Sequence, residues 1–160
     1  MGEDWCTIRE ATENDLFELE LCCKEALDLL PNFKEDFSQD KFIVYLALVD
    51  NRVAGAVVGF ADPIGTSKNL KPTAQIAAIF VNSSFRNQGI GKTLIEHFLG
   101  RMQERHFVTV RVEIYKTYSS GLKFFEAAGF KEIQAKRGKK ILQYSIWDDF
   151  GIIDESLVEE

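Results

Sequence analysis

The chain has 160 residues, of which 46% are apolar and 28% are charged, as in an ordinary globular protein. Its net charge is −6 and no basic cluster is large enough to follow a nucleic-acid backbone, which argues against a nucleic-acid partner. No apolar stretch reaches the roughly 18 residues of a membrane span, and the first residues lack the pattern of a signal peptide. The three cysteines, Cys6, Cys22 and Cys23, form no disulfide framework, so we expect small buried thiols in a reducing cytoplasm.

The first forty residues predict a short strand followed by one or two helices. Residues 5–9 alternate weakly between apolar and polar side chains, as a first strand would. Thr12 and Asp15 form a capping-box pattern that opens a helix, and Pro31 ends it. Phe33 and Phe37, spaced by four among acidic residues, predict either a short second helix or a lid, with both rings as core anchors.

Three consecutive strands follow. Residues 42–49 form a continuous apolar run, and residues 53–60 return as an antiparallel partner after a tight turn at Asp50-Asn51. Residues 62–72 contain two prolines and a glycine, which predicts an exposed loop. Residues 73–81 form the central apolar strand.

The second half of the chain alternates helices and strands. After the central strand and a glycine-rich turn, a helix runs to about residue 105, and residues 108–115 then alternate strictly, as a strand with one buried face does. A further helix begins at Ser119 or Ser120 and ends at Gly129. The remaining predictions are closing strands at 130–133 and 141–147, a solvated hairpin connection at 136–140, and an acidic tail at 148–160.

This order of elements predicts one mixed α/β domain over residues 1–160, with a core at about 6–147. Three consecutive antiparallel strands followed by a helical crossover give a mixed, mostly antiparallel sheet. We expect helices on both faces of that sheet.

The link between the central strand and its helix is the most informative motif, with the sequence Arg86-Asn87-Gln88-Gly89-Ile90-Gly91-Lys92-Thr93. Gly89 and Gly91 carry no Cβ, so the backbone can approach a bulky ligand closely. The unpaired amides and the dipole at a helix N-terminus attract anions. The stretch therefore predicts a site for a phosphate-bearing ligand.

Two familiar phosphate motifs fit this stretch poorly. Gly91-Lys92-Thr93 matches the end of a Walker A loop, but Arg86 stands where the earlier glycine is required and no later strand ends in Asp. A dinucleotide-binding fingerprint needs a third glycine where Leu94 stands, near the first strand of a βαβ unit. The stretch therefore favours neither a nucleotide hydrolase nor a dinucleotide-binding protein.

A third pattern fits. Arg86-x-x-Gly89-x-Gly91 resembles the R/Q-x-x-G-x-G/A motif of the GCN5-related N-acetyltransferases (GNAT), and the order of elements is similar to that family's from end to end. Residues 79–86 look like the end of the family's fourth strand and the segment that connects it to the acetyl-CoA pyrophosphate loop. Residues 53–55 look like part of its hairpin, and residues 124–130 like the segment that ends in Gly-Phe. The resemblance covers about residues 6–147.

The resemblance implies acetyl-CoA as a co-substrate. The backbone amides of Gln88 to Thr93 would hold the pyrophosphate, with Arg86 shaping the loop. The family splays its fourth and fifth strands to admit the pantetheine arm, and an amide near Val81 would stabilise the oxyanion. The residues that the resemblance assigns to coenzyme A are Ile79, Phe80, Val81, Arg86, Asn87, Gln88, Gly89, Ile90, Gly91, Lys92 and Thr93.

The catalytic acid departs from the family pattern. The family often places a tyrosine four residues before the glycine of Gly-Phe, but Phe125 stands there and a phenyl ring donates no proton. Tyr118, where the family often has Asn, is the predicted acid, with Tyr115 in reserve. Either could equally be an ordinary half-buried aromatic.

The general base is left open between two carboxylates. The central strand carries only Gln75 as a polar interior residue, so Glu113 and Asp62 are the candidates, and each could equally be a solvated strand residue. His97 and His106 lie on or just after the long helix, where we expect structural or surface roles. No cluster of ligating side chains has metal-site spacing, so we expect no metal.

The resemblance thus implies an acetyl-CoA-dependent N-acetyltransferase that acts by direct attack in a ternary complex. The acceptor would be a primary amine of a small molecule or a protein, and the acidic Glu35, Asp36 and Asp40 favour an amine or polyamine. The alternative, which Phe125 permits, is a non-catalytic acyl-CoA sensor or interaction module on the same fold. A homodimer through the terminal strands is left open, and we expect a cytoplasmic protein.

Overall fold

The computed structural model describes residues 5–28, 30, 32–62 and 72–146, without the side chains of residues 22, 23, 25 and 26. The sequence predictions for residues 63–71, for Trp147 and the acidic tail, and for the side chains of Cys22 and Cys23 lie outside the described residues.

The described residues contain, besides short 3-10 turns at Glu13–Asp15 and Ser83–Phe85, seven strands and four α-helices. In chain order they are β1 (Thr7–Glu10), α1 (Leu16–Leu27), α2 (Phe33–Ser38), β2 (Ile43–Val49), β3 (Arg52–Ala61), β4 (Thr73–Val81), α3 (Ile90–Glu104), β5 (Thr109–Tyr115), α4 (Ser119–Ala127), β6 (Lys131–Lys136) and β7 (Lys139–Ser145). This order agrees with the sequence prediction, including the short second helix. None of the helices in these ranges combines the length and apolarity needed to cross a bilayer.

All seven strands form one sheet in the order β1-β2-β3-β4-β5-β7-β6. Every neighbouring pair is antiparallel except β4 and β5, which run parallel. A parallel pair needs a crossover, and α3 supplies it. The predicted mixed α/β fold with a mostly antiparallel sheet is therefore confirmed.

Helices α3 and α4 cover one face of the sheet. Leu94, Ile95 and Phe98 of α3 are fully buried there against apolar side chains of the strands. A Cβ added at Gly59 of β3 would lie 2.6 Å from the Phe98 ring, so a glycine is needed where α3 lies this close to the sheet.

Helices α1 and α2 cover only part of the opposite face. Phe33 and Phe37 of α2 are buried and stack at 5.7 Å, which confirms the second helix and the predicted core anchors. This second core draws on α1, α2, β2 and β3, and no buried residue of β5, β6 or β7 in the described ranges joins it. One face of the sheet is therefore left open beside β4.

The predicted capping box holds the entry to α1. The Asp15 carboxylate accepts a hydrogen bond from the Thr12 amide at 2.8 Å and two from the Arg9 guanidinium at 2.9 Å each. These bonds, those from Arg9 above all, hold the pKa of Asp15 below its usual value. The pair therefore ties β1 to the start of α1.

The hairpin connection predicted at residues 136–140 is present but shorter than predicted. Lys136 ends β6 and Lys139 begins β7, so only Arg137 and Gly138 form the turn, with Gly138 at φ 74°. The lysines belong to the strands because the β6–β7 pairing continues to Lys136 and Lys139, and the Lys136 side chain lies 3.4 Å from Glu113. The predicted end of β6 at residue 133 is wrong for the same reason.

Candidate active site

A gap opens between β4 and β5 halfway along the parallel pair. The two strands pair from Thr73–Thr109 to Ile76–Val112 and no further. On its other side β4 stays paired with β3 up to Val81, but the register shifts so that Ala77 is an extra residue. Such a bulge bends a strand. Beyond Ala77, β4 therefore stays paired with β3 and diverges from β5.

The gap exposes backbone groups on the edge of β4. The amide of Asn82, which follows β4, donates to the Ala54 carbonyl of β3 at 2.7 Å. Backbone groups alternate in direction along an antiparallel strand, so the amides of Ile79 and Val81 face the gap. The Phe80 carbonyl faces β3, since a Cβ at Gly55 would lie 2.7 Å from it. Of the three residues predicted to pair with pantetheine, two, Ile79 and Val81, thus have backbone groups that face the gap.

The chain after β4 turns sharply into α3. The Asn82 side chain accepts from the Ser84 amide at 3.0 Å, and Arg86 Nε donates to the Val81 carbonyl at 3.2 Å. Asn87 and Gly89 have positive φ angles of 65° and 81°. Arg86 therefore fastens the turn to the end of β4.

The first turn of α3 presents free backbone amides. The amide and hydroxyl of Thr93 both donate to the Gly89 carbonyl, at 3.0 and 2.9 Å. No described residue accepts from the amides of residues 88–92. The first turn contains no acidic side chain, and Lys92 is exposed there. These features make the turn a candidate anion site that adjoins the gap.

Gly91 fits α3 against α4 beside the gap. A Cβ at this position would lie 3.2 Å from the Phe124 ring and 3.8 Å from a Val81 methyl. The absence of a side chain therefore lets the start of α3, the end of β4 and α4 meet closely.

The α4 segment offers two exposed tyrosines near the end of β5. Phe125 is only 5% exposed and packs edge-on against Phe124 and Phe130, so it acts as a core residue. Tyr118 is 59% exposed, precedes α4 and lays its ring over Gly121. Tyr115 is 61% exposed, with Lys139 Nζ 4.9 Å from its ring centre. Both tyrosines are thus accessible to a ligand in a way that Phe125 is not.

The open face of the sheet carries a cluster of polar side chains beside the gap. Glu113 is the first β5 residue beyond the last β4–β5 pair, and its carboxylate lies 3.4 Å from Lys136 and 4.0 Å from Lys139. It lines a cavity of about 230 Å³ together with Gln75, Arg111, Gln134, Lys136 and Ile141. Asp62, the other predicted base, accepts two hydrogen bonds from Gln75, at 2.9 and 3.0 Å.

Sequence reasoning did not single out Arg111. Its Nε donates to the Gln143 side chain at 2.8 Å, so it lies across the open face between β5 and β7. The strict alternation of residues 108–115 already put Arg111 and Glu113 on the same face, opposite the buried valines. That face could have been recognised as a candidate site only with the knowledge that α1 and α2 leave it uncovered.

The histidines lie away from the gap. The His97 ring packs 5.0 Å from that of Tyr45, and burial lowers its pKa. His106 follows α3 in a turn with φ 69°. Within the described residues, no group of three or more His, Cys, Asp or Glu side chains could hold a metal ion.

The chain belongs to the GNAT acetyltransferases, since the model of the acetyltransferase (GNAT) family matches residues 8–130. It is 27% identical over 64 residues to the [ribosomal protein bS18]-alanine N-acetyltransferase of Escherichia coli K12, a match over 40% of this chain and 43% of that relative. It is 31% identical over 101 residues to N-alpha-acetyltransferase 30 of Saccharomyces cerevisiae, over 59% of this chain and 54% of the relative. These matches thus span about half the length of each relative.

A solved structure has the same fold with coenzyme A present. The PaiA N-acetyltransferase of Thermoplasma acidophilum, in complex with coenzyme A, superposes with a TM-score of 0.66 and 16% identity, over 88% of this chain and 98% of that one. At this identity the likeness concerns the fold.

Proposed function

We propose that the protein transfers the acetyl group of acetyl-CoA to a primary amine by direct attack in a ternary complex. The observation that carries the proposal is the gap between β4 and β5, lined by the amides of Ile79 and Val81 and leading to the free amides of α3. A long ligand with amides in its middle and a pyrophosphate at its end matches that series of donors. Membership of the acetyltransferase family supports the same ligand.

The gap supplies a place for the reaction as well as for binding. The thioester carbonyl oxygen would accept a hydrogen bond from a β4 amide, either that of Val81 or that of Ile79. This bond stabilises the oxyanion formed when the amine nitrogen attacks. The C–N bond forms as the oxyanion does, and the C–S bond breaks when the oxyanion collapses and releases the coenzyme A thiolate. The thioester provides an activated acetyl group, and the protein provides its orientation and the proton transfers.

Glu113 is the proton acceptor that the geometry favours. It lies on the open face immediately beyond the last β4–β5 pair and lines the cavity there, whereas Asp62 is not among the residues that line the cavity. An amine that enters from the open face meets this carboxylate as it approaches the gap. Tyr118 is proposed to give a proton to the departing thiolate, with Tyr115 as the alternative.

A second candidate function rests on the burial of Phe125. Because this ring carries no hydroxyl and is 5% exposed, the position that would hold the usual acid is inert. A protein that binds acyl-CoA without turnover, as a sensor, is consistent with that loss.

The experiment is to measure thiol release from acetyl-CoA against a panel of anionic, neutral and cationic primary amines, with mass spectrometry of the product. We expect thiol release that depends on the amine and matches the acetylated product. Glu113→Gln should lower kcat by about 100-fold without changing coenzyme A affinity. Glu132→Gln is the matched control, because Glu132 pairs with Lys140 outside the cavity.

The two candidates give different results. Coenzyme A binding with no thiol release on any amine would favour the sensor. Failure to bind coenzyme A would contradict both.

A further inference from the structure

The open face beside the gap is cationic in a protein that is acidic as a whole. Glu113 lies 3.4 Å from Lys136 and 4.0 Å from Lys139, and Arg111, Glu113 and Lys136 all line the cavity. With Asp62, which is bonded to Gln75 of the lining, the cluster holds three cations and two carboxylates, whereas the whole chain has a net charge of −6. The local excess of positive charge favours an anionic group in the ligand.

Arg111 is held in a fixed orientation with most of its donors unused. Its Nε donates to Gln143 at 2.8 Å, and no described residue accepts from its two terminal nitrogens. The side chain is half-buried, which strengthens a charged hydrogen bond relative to one in water. A guanidinium presents its donors as a planar fork that matches a carboxylate.

The spacing along β5 places a cation beside the proposed proton acceptor. Arg111 and Glu113 are two residues apart on the same face, about 6.7 Å along the strand. An acceptor whose amine approaches Glu113 could therefore place a carboxylate a few bonds away on Arg111. A second ammonium at that point, as in a polyamine, would meet like charges.

The cavity is also small. Its volume of about 230 Å³ lies below the roughly 300–1,000 Å³ of sites for drug-sized ligands. A single amino-acid-sized group fits this space. The acidic residues that favoured a polyamine do not line it, and Asp36 among them pairs with Lys41 at 3.6 Å.

We propose that the acceptor carries a carboxylate close to its amine, and that Arg111 is the specificity-determining residue that binds it. This assignment rests on the proposed acetyl transfer. The carboxylate belongs either to a free amino acid or to an acidic side chain next to the N-terminus of a peptide.

The test compares acceptors that differ in that carboxylate, with kcat/KM expressed per neutral amine because an amide lowers the pKa of the neighbouring amine. One pair is glycine and glycinamide. The other is two peptides with a free N-terminus and a blocked C-terminus, which begin alanine-aspartate and alanine-asparagine. Acetylation kinetics are measured for both pairs and for a polyamine. We expect kcat/KM to be about 10- to 100-fold higher for the carboxylate member of one pair, and the pair that responds identifies the source.

Arg111→Gln should remove this preference by lowering kcat/KM for the carboxylate acceptor alone. The amide acceptor and coenzyme A affinity should change less than about threefold. Lys140→Gln is the matched control. It also removes one positive charge, but Lys140 lies on β7 and pairs with Glu132 away from the cavity. The control should keep the preference.

Three outcomes would overturn the assignment. Equal efficiency for both members of each pair, or a preference for the polyamine, would contradict carboxylate recognition while leaving acetyl transfer intact. An equal loss for carboxylate and amide acceptors in Arg111→Gln would make Arg111 a structural residue. Coenzyme A binding without transfer to any amine would contradict the proposed function itself.

Discussion

The two sides of the gap between β4 and β5 are built from different parts of the chain. On the β4 side the groups available to a ligand are backbone amides, those of Ile79 and Val81 and of the first turn of α3. On the β5 side they are side chains, among them Arg111, Glu113 and the two exposed tyrosines. A backbone surface is sensitive to added atoms and to a changed path of the chain. A side-chain surface is sensitive to the chemical group at one position.

This difference separates the two tasks that we assign to the site. The backbone side would bind the part of the ligand that all acetyl-CoA-dependent enzymes share. The side-chain side would decide which amine is acetylated and how its proton is removed. Substitutions on the two sides should therefore change different measured quantities.

The largest expected effect is on the backbone side. Gly91→Val adds a branched side chain where a Cβ alone would lie 3.2 Å from the Phe124 ring. The methyl groups must displace α4 or enter the gap, so coenzyme A affinity should fall by about 100-fold or more. Isothermal titration measures the affinity, and thermal unfolding checks that the variant folds.

Gly100→Val is the matched control for this change. It introduces the same side chain into the same helix, where a Cβ would meet nothing within 4 Å. Its affinity should stay close to that of the wild-type protein. Equal coenzyme A affinities in the two variants would contradict the proposal that coenzyme A binds where α3 packs closely against α4.

A smaller effect is expected on the side-chain side. Tyr118→Phe should lower kcat by about 10-fold while coenzyme A affinity stays the same, because a thiolate with a pKa near 8.5 leaves readily without full protonation. Tyr115→Phe, which also removes one exposed hydroxyl, is the comparison variant. A larger loss in Tyr115→Phe would assign the acid to Tyr115 instead.

The smallest effect on activity is expected far from the gap, at Asp15. Asp15→Asn should lower the free energy of unfolding by about 1–2 kcal/mol at neutral pH, because it weakens a bidentate pair with a half-exposed Arg9. Coenzyme A affinity and kcat should not change. A loss of affinity would show that the start of α1 is coupled to the gap.

The same variant has a defined pH dependence. The Arg9 hydrogen bonds lower the pKa of Asp15 in the folded protein. Its contribution to stability is therefore complete above the unfolded pKa of roughly 3.9, and it is lost as the pH falls through the lower folded value. Wild type and Asp15→Asn should thus converge in stability below about pH 4, which chemical denaturation at several pH values can measure.

The backbone side was largely predictable from the sequence. Gly89 and Gly91 after an apolar run predict a strand, a turn and a helix start, and the structure has these at β4 and α3. Local chain geometry depends on local sequence, so the turn could be recognised without knowing its surroundings. The bulge at Ala77 could not, because no residue type marks it.

The side-chain side was only partly predictable. Alternation along residues 108–115 put Arg111 and Glu113 on one face, but their neighbours Lys136 and Lys139 belong to strands that the sequence prediction made too short. Long-range pairing brings these charges together, and it leaves no periodic signal in the sequence. The opening of this face also depends on where α1 and α2 end, which is a property of the packed molecule.

Amide hydrogen exchange with and without coenzyme A tests the central claim most directly, because it reads the backbone groups themselves. We predict that coenzyme A slows exchange at Ile79, Val81 and residues 88–92. The Asn82 amide, already bonded to Ala54, should exchange at the same rate with and without the ligand. Binding of coenzyme A that leaves exchange at Ile79, Val81 and residues 88–92 unchanged would contradict the account.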